Sequence, residues 1–345
     1  MPVKLKLSQY DAGMPAGFGP IAGLKIGYAH DEAALTGCTV LLAEEGMVAA
    51  CDVRGGAVGE CELETLRPGH IVERIHALVF AGGSAFGLDA ASGVMRWCEE
   101  RGIGFDTGVA KIPIVPAVIL FDLRIGDAKR RPDAAMGYAA AEAAAKSRTD
   151  APVAEGNAGA GCGATVGKLL GIGRAMKGGI GCWTEEVSAP DGQGKVLVAA
   201  LAAVNAFGDI RDVETGRILA GARVSKDSRE FADTAAAMRR GTVRKGFGDP
   251  NTVLVAVATD AALTRQEAQR LATMAAGGVQ RVVSPAHTTF DGDVVFALSL
   301  GGADSREQFD VNALGAAAAD AVARAIVRGV TQARPAGGVP AVADL

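Results

Sequence analysis

The sequence is poor in aromatic residues, which make up 5% of its 345 positions. It has only four histidines, with no H-E-x-x-H pair and no Cys/His cluster. That excludes the common zinc-site patterns, and no cofactor is implied. None of its six cysteines (Cys38, Cys51, Cys61, Cys98, Cys162 and Cys182) forms a C-x-x-C pair. Scattered through apolar or glycine-rich surroundings, they are expected to be buried free thiols, as in a reducing compartment. No charge sign dominates either. The formal net charge is −4, which leaves no electrostatic footprint for nucleic acid. The strongest basic run, Lys129-Arg130-Arg131, reads as a solvated loop. Long uncharged runs are missing too. The longest clean one, Val196 to Val204, is strand-sized, and a membrane helix needs roughly 18 apolar residues or more. Met1 to Ser8 alternates lysine with apolar residues and has no signal-peptide core. The expectation is a cytoplasmic protein with neither membrane nor nucleic-acid partner.

Small residues are plentiful: 47 are glycine, and 49% of the chain is hydrophobic. A core of this kind gains from close backbone approach, and oligomerisation would help to bury surface. With no linker and no internal repeat, one layered α/β domain is expected.

The segments alternate between strand and helix patterns. Leu24 to Tyr28 opens as a strand. Thr39 to Ala43 and Met47 to Val53 are expected to pair across a Glu44-Glu45-Gly46 turn. Phe86 to Arg101 carries an apolar stripe of Leu88, Ala91, Met95 and Cys98 and predicts a helix ended by Gly102. A second, alanine-rich helix is expected over 133–146. From about Pro152 to Trp183 the chain is too glycine-dense for regular structure throughout, which marks a functional segment. Val196 to Val204, Val253 to Thr259 and Val294 to Leu300 read as strands buried on both faces. Helices are expected over 227–239, from the capping box Thr264-Arg265-Gln266-Glu267 to Gly277-Gly278, and over 311–327. The tail after Gly329 is expected to be loose.

Chemistry is suggested where Gly246-Phe247-Gly248-Asp249-Pro250-Asn251-Thr252 runs straight into a buried strand. A threonine hydroxyl held against the preceding carbonyl can attack it. Hydrolysis of the resulting ester would free the α-amine of Thr252, whose reference pKa of about 7.7–8.0 suits a general base for its own hydroxyl. Asp291-Gly292-Asp293 precedes another strand and puts two carboxylates on one side of an extended segment. A plain turn or a calcium-type loop is the alternative, though the later Glu of such a loop is missing. Asn205 closes an apolar strand and must find a partner, as an oxyanion donor or as a structural amide. Lys177, among glycines, could reach an oxyanion or lie at the surface.

Several segments together resemble one family of self-processing peptidases. It includes β-aminopeptidases, the L-aminopeptidase/D-esterase type and the nylon-oligomer (aminohexanoate-oligomer) endo-hydrolase. The segments are Val53-Arg54-Gly55-Gly56, Gly82-Gly83-Ser84-Ala85-Phe86-Gly87-Leu88, Gly156-Asn157-Ala158-Gly159-Ala160-Gly161, Lys177-Gly178-Gly179-Ile180-Gly181, Asn251-Thr252 and Ala258-Thr259-Asp260. The resemblance implies a four-layer α/β/β/α sandwich, cut into an N-terminal chain, 1–251, and a C-terminal chain, 252–345, that stay together. It implies hydrolysis of small peptides or amide oligomers without a cofactor, and homo-oligomers, often tetramers. It further implies Thr252 as nucleophile, Lys177 and Asn205 as stabilisers of the oxyanion or tuners of the amine, Asp291 and Asp293 as orienting groups, and Tyr138 in the substrate cleft. Thr in place of Ser, and Asp-x-Asp in place of Ser-x-Glu, resemble the nylon-oligomer branch and tilt the substrate towards linear amides of ω-amino acids.

Three other readings compete. The same nucleophile could transfer an acyl group, as in ornithine acetyltransferases, although the expected pattern around the cut is missing. Gly159-x-Gly161-x-Gly163 faintly resembles a dinucleotide loop but lacks the preceding apolar strand. Gly82-Gly83-Ser84-Ala85 begins like a nucleophile elbow, yet Phe86 occupies the place of the closing glycine. Ser84 is better read as part of a loop lining a cleft.

Overall fold

Residues 195–205 alternate between two cores. Val198, Ala200, Ala202 and Val204 enter one apolar cluster, and Ala199, Leu201 and Ala203 enter another. This is the period of an extended strand buried on both faces. In the computed structural model, which describes residues 18–149, 151–189, 194–243, 251–302 and 309–345, nine strands form one continuous sheet. They are β1 (Lys25–Asp31), β2 (Thr36–Val53), β3 (Glu60–Cys61), β4 (Arg74–Ala81), β5 (Ala117–Ile119), β6 (Ile180–Ser188), β7 (Lys195–Asn205), β8 (Thr252–Thr259) and β9 (Val294–Ser299). Their order is β6-β7-β8-β9-β2-β4-β5-β3, with β1 also on β2. β8 and β9 are parallel, while β7 and β2 flank them antiparallel.

Three large hydrophobic clusters separate four layers. The outer helices are α1 (Ala90–Glu99) and α2 (Ala134–Lys146) on one side, and α4 (Arg265–Val282) and α5 (Val311–Thr331) on the other; α3 (Thr234–Arg239) is short. Leu271 and Val279 of α4, with Val322 and Ile326 of α5, pack on Val198, Val255 and Val295. Val94 and Trp97 of α1, with Met136 and Ala140 of α2, pack on Val40, Ala77 and Val79. Between the sheet halves, Leu41, Leu78 and Phe80 meet Leu201, Leu254 and Phe296. The Phe80 and Phe296 ring centroids lie 6.0 Å apart there. The result is the expected α/β/β/α sandwich.

Some local expectations need correction. The hairpin expected around Glu44-Glu45-Gly46 is instead one long strand, β2. Leu42 and Met47 both pair with β4, opposite Ala77 and Ile75, so the extra residues form a bulge rather than a reversal. Residues 84–89 are a 3-10 turn, and α1 starts only at Ala90. The helix expected over 227–239 shrinks to α3, because Asp209 takes the Thr234 N–H and hydroxyl and fixes the start there. α4 begins at its capping box but runs through Gly277-Gly278 to Val282. A side chain at Gly278 would lie 2.3 Å from the Ala319 carbonyl, so Gly278 permits a close helix crossing, while a side chain at Gly277 would meet open space. The tail is not loose: Ala341 is buried, and the Pro340 carbonyl accepts from the Lys177 N–H at 2.8 Å. All six cysteines are free thiols, but Cys61 is exposed.

Candidate active site

Thr252 opens β8 and is 1% exposed. On one side of it stands Asn205, its register partner at the end of β7. On the other side the segment 291–293 enters the parallel strand β9, and Asp291 bridges to Asn251. Both strands are continuous apolar runs, so the polar residues collect where the runs begin or end. The segment Gly246 to Pro250 lies outside the described residues.

The peptide linking Asn251 to Thr252 is gripped from two directions. The Thr252 hydroxyl donates to the Asn251 carbonyl at 2.5 Å, and the Gly292 backbone N–H donates to the same oxygen at 2.6 Å. A Cβ at Gly292 would stand 2.7 Å from the Ala57 carbonyl oxygen and 3.0 Å from the Thr252 hydroxyl. Only a residue without a side chain lets that N–H come so close.

The two carboxylates have different partners. Asp291 accepts from the Thr288 hydroxyl at 2.6 Å, the Thr288 N–H at 2.9 Å and the Phe207 N–H at 3.2 Å. Burial, then the nearby Asp293, push its pKa up to about 6. Asp293 accepts from the Val253 N–H at 2.7 Å on one oxygen, and the other faces His287 Nδ1 at 2.9 Å. Asp293 thus meets the Thr252 end of the strand through the next backbone amide. Arg54 N–H donates to the Asp293 carbonyl at 2.9 Å, and Ala57 N–H to that of Asp291 at 2.8 Å. The Val-Arg-Gly-Gly segment therefore clamps the Asp-Gly-Asp loop, and a Cβ at Gly55 would meet the Asp291 carbonyl oxygen at 2.1 Å.

Asn205 is fully buried and its amide is oriented. Its Oδ1 accepts from Lys168 Nζ at 2.7 Å and from the Thr165 N–H at 3.0 Å, while Nδ2 donates to the Phe121 carbonyl at 3.1 Å. Lys168 Nζ also donates to the Asn205 backbone carbonyl at 2.9 Å. Reasoning from sequence passed over Lys168, which sits in an unremarkable Val-Gly-Lys-Leu context. Lys177 is also buried, donating to the carbonyl of Ala164, next to Thr165, at 2.7 Å and to that of Cys162 at 2.9 Å. Burial pushes its pKa down to about 8. The lysine that touches Asn205 is thus Lys168.

Ser84 has φ 56°, and its N–H donates to the Leu120 carbonyl at 3.0 Å, next to the Phe121 carbonyl that Asn205 uses. The Gly83 N–H donates to Asp122 at 2.7 Å, so the Gly-Gly-Ser loop reaches the Asn205 side of the site through residues 120–122. Tyr138 lies on α2 in the outer layer, its hydroxyl donating to Glu100 at 2.6 Å. The Gly159–Gly161 turn packs its Ala160 N–H on the Thr39 hydroxyl at 3.1 Å and leads into no helix, so it is no dinucleotide loop. Among the described residues no group of three His, Cys, Asp or Glu could hold a metal, and no helix is long and apolar enough to cross a membrane.

The buried Asn251 carbonyl oxygen thus accepts both from a hydroxyl and from a fixed backbone N–H. The model of peptidase family S58 matches residues 20–342. An uncharacterized aminopeptidase of Mycobacterium tuberculosis is 40% identical, over 94% of this chain and 92% of its own. A 6-aminohexanoate-oligomer endohydrolase of an Agromyces species is 30% identical, over 88% and 83%. Among solved structures, a Burkholderia beta-aminopeptidase superposes with a TM-score of 0.66 at 22% identity, covering 96% of this chain and 93% of that one. An L-aminopeptidase D-Ala-esterase/amidase of Ochrobactrum anthropi, described as a variant of the Ntn hydrolase fold, gives 0.66 at 19%, covering 95% and 91%. The chain belongs to peptidase family S58 and is a hydrolase of peptide or amide bonds.

Proposed function

We propose that Thr252 is the nucleophile and that the chain cuts its own peptide bond before it. The Thr252 hydroxyl oxygen bonds to the Asn251 carbonyl carbon, and the Gly292 N–H holds the oxyanion. As the C–N bond breaks, the hydroxyl proton passes to the departing nitrogen, leaving an ester and a free amine. Water hydrolyses the ester, which frees the Asn251 carboxylate and restores the hydroxyl. The new amine then takes the hydroxyl proton when Thr252 attacks a substrate amide, and returns it to the leaving amine. A second water releases the acyl group. In this reading Lys168 orients Asn205, and the Asp291-Gly292-Asp293 loop aligns the reacting end of β8.

The single observation that carries the proposal is the Asn251 carbonyl held between the Thr252 hydroxyl at 2.5 Å and the Gly292 N–H at 2.6 Å. Small peptides and linear amide oligomers, including those of aminohexanoate, are the proposed substrates, in keeping with the similarity to an aminohexanoate-oligomer endohydrolase. The working form is a cytoplasmic homo-oligomer of cleaved pairs. Intact-mass analysis and N-terminal sequencing test the cut: chains 1–251 and 252–345 are expected, and Thr252→Ala should stay in one piece and be inactive. Active enzyme with an unbroken chain would overturn the proposal.

A further inference from the structure

His287 has a backbone unlike its neighbours. Its φ is 56°, in the left-handed region that a residue with a side chain seldom adopts. That conformation turns two donors of one residue on to one oxygen. The His287 N–H donates to Asp293 Oδ2 at 3.1 Å, and the ring Nδ1 lies 2.9 Å from the same atom. The other carboxylate oxygen takes the Val253 N–H at 2.7 Å, one residue beyond Thr252. Both side chains are shielded from solvent, His287 at 10% exposure and Asp293 at 1%. Because a carboxylate only accepts, Nδ1 must carry the proton. The opposite ring nitrogen, Nε2, is buried with no hydrogen-bond partner among the described residues. Merely satisfying a buried aspartate would not require a strained backbone and an unpartnered ring nitrogen, each of which costs stability.

We propose that His287 is a positioning residue for amide hydrolysis. It locks the Asp293 carboxylate in the one orientation that holds the Val253 amide, and so sets the Thr252 hydroxyl and amine. The proposal rests on Thr252 being the nucleophile. It assigns His287 no contact with substrate, so its loss should act on the chemical step and leave binding alone. Misplacement of a reacting group by about 1 Å can cost on the order of 100-fold in rate.

The test compares His287→Ala and His287→Asn with wild type and Thr252→Ala. The Asn amide can place a donor near the Nδ1 position, whereas Ala cannot. Expected are at least about a tenfold fall in kcat with little change in KM for His287→Ala, slower self-cleavage, and recovery of most of kcat in His287→Asn. Wild-type kcat in His287→Ala, a loss confined to KM, or no recovery in a folded His287→Asn would overturn the assignment. Thr252→Ala separates the two ideas: if it is still cleaved and active, the nucleophile reading has failed, whereas an inert Thr252→Ala beside a fully active His287→Ala sinks only the positioning role. A measurement on wild type needs no variant. Side-chain nitrogen NMR of the four histidines should show one ring locked with its proton on Nδ1, and the absence of such a ring overturns the proposal.

Discussion

The backbone N–H of Gly292 donates to the carbonyl oxygen of Asn251 at 2.6 Å, across the gap between two parallel strands. Neither residue is near the other in sequence. The contact exists because β8 and β9 enter the sheet side by side, with the Asp-Gly-Asp loop arriving level with the start of β8. It puts a fixed dipole where negative charge would develop during attack by Thr252.

This contact predicts the behaviour of Gly292→Ala. The added Cβ would meet the Ala57 carbonyl oxygen at 2.7 Å and the Thr252 hydroxyl at 3.0 Å. The loop must retreat, and the N–H with it. Losing one oxyanion donor typically costs about 100- to 1,000-fold in rate, so uncleaved chain should accumulate on a denaturing gel. Processing at the wild-type rate would show that the donor is dispensable.

The two buried lysines should separate. Lys168→Met removes the group that fixes the Asn205 amide, and should cut kcat by about tenfold or more. Lys177→Met removes donors to the Cys162 and Ala164 carbonyls and should act mainly on folding. Paired kinetic and thermal-melting measurements distinguish them. An active Lys168→Met beside a stable but inactive Lys177→Met would reverse the assignment.

Asp291 predicts a pH dependence. Its folded pKa of about 6 lies above the unfolded value of about 3.9. Between roughly pH 4 and 6 the folded protein therefore binds more protons here than the unfolded chain does, and stability falls as pH rises through that window. Asp122, pushed up to about 6 by burial, adds a slope of the same sign. Denaturant titrations should show the slope weakened in Asp291→Asn and weakened further in the double variant with Asp122→Asn. A slope unchanged in both would refute the linkage.

Glu155 and Arg328 form a buried ion pair, with side chains 11% and 5% exposed, between what would become the two separate chains. The Glu155 carboxylate also accepts from the Cys182 N–H at 2.7 Å. Leaving one charge of such a pair unmatched typically costs about 3–5 kcal/mol. Arg328→Met should therefore lower the melting temperature and let the chains separate in mild denaturant, as followed by size-exclusion chromatography. Co-elution under conditions identical to wild type would count against the clasp.

Much of the fold was legible locally. Apolar runs at 196–204, 253–259 and 294–300 marked the three central strands, because strands buried on both faces have no polar positions to break them. The Thr264 capping box marked the start of α4 for a similarly short-range reason. Legibility failed where a glycine had two meanings. Gly46 looked like a reversal and is part of a bulge in β2; Gly277-Gly278 looked like a stop and lies inside α4, with Gly278 at the helix crossing.

From the sequence alone came the layered α/β class, the absence of a recognisable metal motif, the resemblance to self-processing peptidases and the choice of Thr252 as the candidate nucleophile. These rest on residue types and spacings along the chain. Only the tertiary structure decided which lysine meets Asn205, which N–H meets the Asn251 carbonyl, and that His287 grips Asp293. Such contacts depend on strand register and loop path, and residues dozens of positions apart carry no mark of which of them will be neighbours.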